Sequence, residues 1–157
     1  MAADAMVVYD DFKIYLGSGS IDMDADTFKQ GLYLSTSNAG TRGLATGVKA
    51  DLTNEHAAAN GYAQGGQTLT SVTWTEAAAG TARLDAADFA PYNSAVGGSI
   101  VARFMVTYDD TPTSPLDPLV GFVLMDNAPA DITVTDTNDL NYTFAATGIF
   151  ELSGAET

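Results

Sequence analysis

The sequence predicts an all-β protein, a β-sandwich or jelly roll of about eight short strands with one or two short helices. The prediction rests on apolar residues that alternate along several short segments, on the glycine and proline between those segments, and on the scarcity of helical periodicity. No internal repeat of fixed period is visible, which argues against a solenoid or a propeller.

The clearest strand signal lies in residues 99–110, which are followed by a second apolar run at 119–125. Even-numbered residues from 100 to 108 are all apolar and share one face of an extended chain. The other face is mostly apolar too, which indicates a central strand covered on both sides. Residues 111–118 hold three of the five prolines. Because proline lacks the amide proton that a sheet needs, this segment is predicted to be a stiff, exposed loop.

The other elements follow from shorter patterns. Residues 9–17 predict a short helix with Phe12, Tyr15 and Leu16 on one face and Gly17 as its cap. Residues 68–75 and 81–85 predict a hairpin. Further strands are predicted at 27–35, 131–135, 140–144 and 148–152.

The length of 157 residues fits one domain that can bury a proper core. We divide the chain into an N-terminal arm (1–8), a single β-sandwich domain (9–152) and a C-terminal tail (153–157). Cysteine is absent, so no disulfide is expected, and no cofactor is predicted. The N-terminus lacks the pattern of a signal peptide, and no apolar run reaches the roughly 18 residues of a membrane span.

The charge balance restricts the possible partners. Six Lys/Arg and twenty Asp/Glu give a formal net charge of −14, and the cations are scattered singly. Because nucleic-acid and anionic membrane surfaces require clustered cations, we expect no direct contact with either. The acids are better explained as keeping an abundant protein soluble.

Three patterns in the sequence bear on reactive or metal sites. Asp22, Asp24 and Asp26 have the spacing that opens a calcium-binding loop, but Thr27 and Tyr33 stand where that loop needs glycine and glutamate, so an acidic turn is favoured.

The only histidine, His56, follows Glu55 but has no recognisable nucleophile near it, and we interpret it as a surface or loop-packing residue. Residues 61–66 are rich in glycine but lack a phosphate-binding lysine, so a tight turn anchored by Tyr62 is predicted. No residue is assigned a catalytic or metal-binding role, and the chain is predicted not to be an enzyme.

One charged residue lies inside the most apolar run. Burying Arg103 is costly unless it is paired, so a structural ion pair with a carboxylate such as Asp109 or Asp110 is predicted.

The ordered motifs of the chain resemble those of the small virion structural proteins of tailed bacteriophages, which are regarded as capsid decoration (cement) proteins. The resemblance spans residues 9 to 152 and departs at 37–49 and at the alanines 57–59. The residues that carry it are 9–13, 21–27, 54–55, 61–69, 102–111, 118–122 and 146–150.

The resemblance implies a protein of the virion, assembled in the host cytoplasm, that binds the outer capsid surface and stabilises the lattice of the major capsid protein. It also implies a homo-oligomer. Contacts are predicted for apolar or proline-stiffened segments outside the strands, together with one cation: Met6, Val7, Val8, Arg42, Pro112, Pro115 and Leu116. The alternative is a tail or receptor-binding component that recognises glycans through Trp74, Tyr62 or Tyr92. An acidic glycosidase was also weighed, but twenty acids make any carboxylate pair uninformative.

Overall fold

The computed structural model describes residues 5–93, 97–126 and 130–154. The predicted fold class is confirmed: the chain is mostly antiparallel β-structure with a sandwich-like arrangement. The helix is α1 (Phe12–Ser18), with short 3₁₀ turns at Asn38–Gly40 and Lys49–Asp51. The strands are β1 (Val7–Val8), β2 (Phe28–Tyr33), β3 (Gln67–Thr68), β4 (Thr73–Ala78), β5 (Thr81–Asp85), β6 (Tyr92–Asn93), β7 (Ser99–Ala102), β8 (Phe104–Asp109), β9 (Leu119–Leu124), β10 (Ile132–Thr135), β11 (Asp139–Leu140) and β12 (Phe150–Ser153).

The main sheet has five strands in the order β1-β9-β8-β2-β3. All six residues of β8 are buried, and so are five of the six residues of β9. The central, doubly covered strand predicted from the two apolar faces is therefore confirmed for Phe104–Asp109, and the proline-rich segment 111–118 does leave the sheet as the β8–β9 connection.

The prediction of one continuous strand over residues 99–110 is wrong. The chain breaks at Arg103: β7 pairs with β10, whereas β8 pairs with β2 and β9. The break inverts the side-chain alternation, because Ala102 and Met105 pack in one cluster while Phe104 packs in another. It leaves the Arg103 side chain half-exposed, and the Arg103 amide donates a hydrogen bond to the Tyr33 carbonyl oxygen at 2.8 Å. A charge that is costly to bury thus coincides with the point where the strand ends.

Each face of the main sheet contacts its own core. One face packs against the segment that runs from the first to the second 3₁₀ turn. The buried residues of the core between them are Tyr9, Tyr33, Ala39, Phe104, Val106, Tyr108, Leu119 and Phe122. The opposite face packs against α1 and the three-stranded sheet β12-β5-β4, and against the pairs β10-β7 and β11-β6. Sheet packed on sheet over a shared core is the feature that makes the fold sandwich-like.

The helix begins and ends later than predicted. Asp10 and Asp11 precede the helix rather than opening it, and the left-handed cap is Gly19 (φ +75°) rather than Gly17. The Gly19 amide donates to the Leu16 carbonyl oxygen at 3.2 Å, closing the last turn.

The predicted hairpin of β4 and β5 is confirmed, and β12 joins it as a third strand. Its first strand starts five residues later than predicted, because residues 67–68 pair with the main sheet and Ser71 adopts a left-handed conformation (φ +52°) between the two. The strand predicted at 140–144 is reduced to β11.

The predicted arm and tail are partly built into sheets. Val7 and Val8 form the edge strand β1, and Ser153 ends β12. The arm residues 1–4 and the tail residues 155–157 lie outside the described residues. Within the described ranges, no helix has the length and apolar character to cross a membrane.

Candidate functional site

Several predicted contact residues meet at one end of the main sheet, which we call the hairpin end and define by loop 110–118 and residues 42–49. Strand β8 ends and β9 begins there. Residues 47–49 run beside the end of the loop, since the Lys49 amide donates to the Asp117 carbonyl oxygen and the Leu119 amide donates to that of Gly47, both at 2.9 Å. Antiparallel pairing therefore brings two segments that are distant in sequence to one surface.

Loop 110–118 is held at its base and exposed at its tip. The Asp110 amide donates to the Thr27 carbonyl oxygen at 2.8 Å, and the Thr27 amide donates to Thr111 Oγ1 at 2.7 Å. Pro112 and Pro115 are half-buried, whereas the Leu116 side chain is 63% exposed. The loop thus presents one apolar side chain from a short, braced support.

Arg42 braces the same end. Its guanidinium Nη2 lies 2.9 Å from Asp10 Oδ1, and its Nε donates to the Val8 carbonyl oxygen at 3.1 Å. Both charged side chains of this pair are more than half exposed, so the ion pair contributes little to stability and leaves Arg42 accessible to a partner.

The other three predicted contact residues serve mainly the fold. Val7 and Val8 are half-buried in β1, opposite Phe122 and Gly121 of β9. Met6 is half-buried and packs over Gly121, where its sulfur would lie 2.7 Å from an added Cβ. Met6 and Val8 also line a cleft of about 390 Å³ together with Tyr142, Phe144 and Ile149.

The predicted ion pair between Arg103 and Asp109 is wrong. Arg103 directly precedes β8 and Asp109 is its last residue, so the extended strand separates them by roughly 20 Å. The Asp109 carboxylate instead accepts a hydrogen bond from the Thr111 amide at 3.0 Å and faces the carboxyl group of Asp26. Asp110, the alternative partner, pairs with Lys29 at 2.7 Å.

The predicted acidic turn at residues 22–26 closes on itself. Asp22 Oδ1 accepts from the amides of Asp24 and Ala25 at 3.0 and 3.3 Å, and Asp26 Oδ2 accepts from the Asp22 amide at 2.7 Å. Two of the three carboxylates therefore cap backbone amides within the turn. Among the described residues, no group of three or more metal-ligating side chains is arranged to hold an ion.

Tyr62 anchors the glycine-rich turn, as predicted. Its hydroxyl donates to Glu55 Oε1 at 2.7 Å and accepts from the Leu32 amide at 2.9 Å. The Gly65 amide donates to the same Glu55 oxygen at 2.5 Å. Burial raises the pKa of the Tyr62 phenol well above its usual range, so the hydroxyl keeps its proton.

His56 belongs to the same packed segment. The side chain is buried, its ring lies 5.2 Å from the Tyr62 ring, and its Nε2 contacts no hydrogen-bond partner. Burial lowers the pKa of His56, which makes the neutral imidazole the resident form. The residue packs a loop, and within the described part of the chain no nucleophile is hydrogen-bonded to it.

The three aromatic residues predicted as a glycan platform are not equally accessible. Tyr62 and Tyr92 are buried (4% and 3% exposed), and the Tyr92 hydroxyl donates to the Gln30 carbonyl oxygen at 3.3 Å. Trp74 is half-buried and lines an open cleft of about 480 Å³ with Glu76 and Leu152. A platform of several exposed aromatic rings is thus reduced to a single indole.

Comparison of the chain with protein-family models, with curated proteins and with solved structures finds no match.

Proposed function

We propose that this chain is a capsid decoration protein that binds the outer surface of a phage head through its hairpin end. The observation that carries the proposal is Leu116, whose apolar side chain is 63% exposed at the tip of a braced loop. The motif resemblance described above supplies the partner, the lattice of the major capsid protein.

A fixed apolar tip is well suited to contacts between proteins. Burying an exposed leucine side chain contributes about 1.5–3 kcal/mol. A loop that is already held at Thr27 and Thr111 loses little conformational entropy when it binds. Repetition of a modest contact over many copies, together with association into homo-oligomers, makes the total binding strong.

The surroundings of Leu116 have the polar character of an interface rim. Two ion pairs lie at this end of the main sheet, Arg42 with Asp10 and Lys29 with Asp110. An apolar centre within a polar rim is the usual arrangement of a protein–protein interface.

The test uses capsids stripped of this protein and a variant with a charge in place of the apolar tip. Leu116→Asp is expected to weaken rebinding at least tenfold. It removes the methyl groups that the capsid would bury on binding, and it places a carboxylate at the contact. Ala79→Asp is the matched control, since it adds the same charge at the exposed β4–β5 turn of the three-stranded sheet. Equal rebinding of the two variants and the unchanged protein contradicts the proposed contact.

The alternative function, glycan recognition by a tail component, keeps one supporting observation in the open cleft beside Trp74. A glycan array probed with the unchanged protein and with Trp74→Ala separates the two functions. Binding that Trp74→Ala abolishes, combined with failure to bind capsids, favours the tail component.

A further inference from the structure

A buried carboxyl group at the hairpin end lacks the hydrogen-bond donors that an ionised carboxylate needs. Asp109 is completely buried, in the strand pair that matches it with Phe28. Its Oδ1 accepts from the Thr111 amide at 3.0 Å, but its Oδ2 contacts no donor. An ionised oxygen in that position would be an unpaired buried charge, which disfavours the ionised form.

The group that Asp109 faces is a second carboxyl, that of Asp26. Asp26 Oδ2 already accepts from the Asp22 amide at 2.7 Å, so the Asp26 side chain is fixed in the acidic turn. Two carboxylates in contact repel each other, whereas a carboxylic acid donates its proton to a carboxylate and satisfies both oxygens.

We propose that Asp26 and Asp109 share one proton and act as a pH-sensitive clasp between the acidic turn and the start of loop 110–118. The proton resides on Asp109 and is donated in a hydrogen bond to Asp26. The clasp stands independently of the proposed capsid contact.

Among the described residues, the cations near this position are paired with other carboxylates. The charged groups on the elements around Asp109 are Asp22, Asp24 and Asp26 in the turn, Lys29 on β2, Asp110 and Asp117 in the loop, and Lys49 beside the loop. Lys29 lies 2.7 Å from Asp110 and Lys49 lies 3.7 Å from Glu55, and the remaining groups are acids that oppose ionisation of Asp109. Burial, aided by contact with Asp26, raises the pKa of Asp109 to about 7.

Because the pKa of Asp109 is raised by folding, the stability of the folded state depends on pH. The folded state holds a proton that the unfolded chain releases near pH 4, so this contribution to stability is largest in acid. It declines as the pH rises from about 4 to about 7 and is absent above that.

Two measurements test the clasp. Carbon NMR of the unchanged protein is expected to show the Asp109 carboxyl titrating near pH 7; a midpoint below pH 5 overturns the proposal. The melting temperature of Asp109→Asn is expected to rise by several degrees relative to that of the unchanged protein between pH 5 and pH 8, because the amide stays neutral and still donates to Asp26.

Asp24→Asn is the control, since it removes one acid from an exposed position of the same turn. Its melting temperature is expected to differ from that of the unchanged protein by the same amount at both pH values. Matching pH dependence in the two variants overturns the clasp.

Discussion

Replacement of Tyr62 by phenylalanine tests whether the glycine-rich turn is held by one hydroxyl. Strand β3 pairs only with Lys29 and Gln30 of β2, so it does not reach the Leu32 amide. The Tyr62 hydroxyl takes the place of the missing strand neighbour by accepting from that amide at 2.9 Å. It also donates to the Glu55 carboxylate at 2.7 Å. Both bonds are lost in Tyr62→Phe.

The size of the effect follows from these two bonds. An unsatisfied buried amide costs about 1–3 kcal/mol, and a hydrogen bond to a charged group contributes about 1.5–3 kcal/mol. Because the two share one hydroxyl they do not add fully, and we expect a loss of about 3 kcal/mol in the free energy of unfolding. For a chain of this length that corresponds to a fall of roughly 6–12 °C in melting temperature.

Urea unfolding provides the assay, with Tyr15→Phe as the matched control. Tyr15 also donates its hydroxyl to a backbone oxygen, that of Thr46, but the bond is exposed, and we expect a loss of about 0.5 kcal/mol. The midpoint is expected to shift without a change in the slope with urea. If Tyr62→Phe loses no more stability than Tyr15→Phe, the hydroxyl is not what holds the turn to β2.

Two further outcomes are expected. Gly66→Ala should destabilise the fold by about 3 kcal/mol or more, because an added Cβ would lie 1.7 Å from the Gln30 carbonyl oxygen. Gly80→Ala is the control: its φ is similar (+73° against +75°) but the space around it is open, so it should lose only about 1 kcal/mol. Equal losses of the two variants in thermal unfolding would refute the steric explanation. Proton NMR should show the His56 ring titrating below its ordinary pKa of 6.5. The buried neutral ring therefore contributes fully to stability above pH 6.5, and this contribution is lost as the pH falls below that value. A midpoint at or above 6.5 would contradict burial of His56 as a neutral ring.

Local patterns were enough to identify the strands at the centre of the fold. Alternation and the prolines marked β8, β9 and the loop between them, and a shorter alternating pattern located the hairpin of β4 and β5, although its first strand begins five residues later than predicted. These features are determined by neighbouring residues, because proline removes an amide wherever it stands and alternate side chains of a strand point to opposite faces.

The errors arose where distant segments meet. The sequence shows Arg103 as an interruption of one apolar face, but only the pairing of β7 with β10 and of β8 with β2 reveals that the strand ends there. The apparent glycan platform failed for the same reason, since Tyr62 and Tyr92 are covered by segments far from them in the chain.

The candidate sites also differ in how far the sequence alone predicted them. Residues 111–118 were predicted to form an exposed loop, and the 63% exposure of Leu116 agrees with that; the contact of Leu116 with a partner stays a prediction. Asp26 and Asp109 lie 83 positions apart in the printed sequence and were not connected by any local signal. Sequence by itself determined the central apolar strands and the proline-rich loop between them, because those preferences are local. Tertiary structure alone decided which carboxyl groups meet and which aromatic rings are hidden, because burial depends on what packs from elsewhere in the chain.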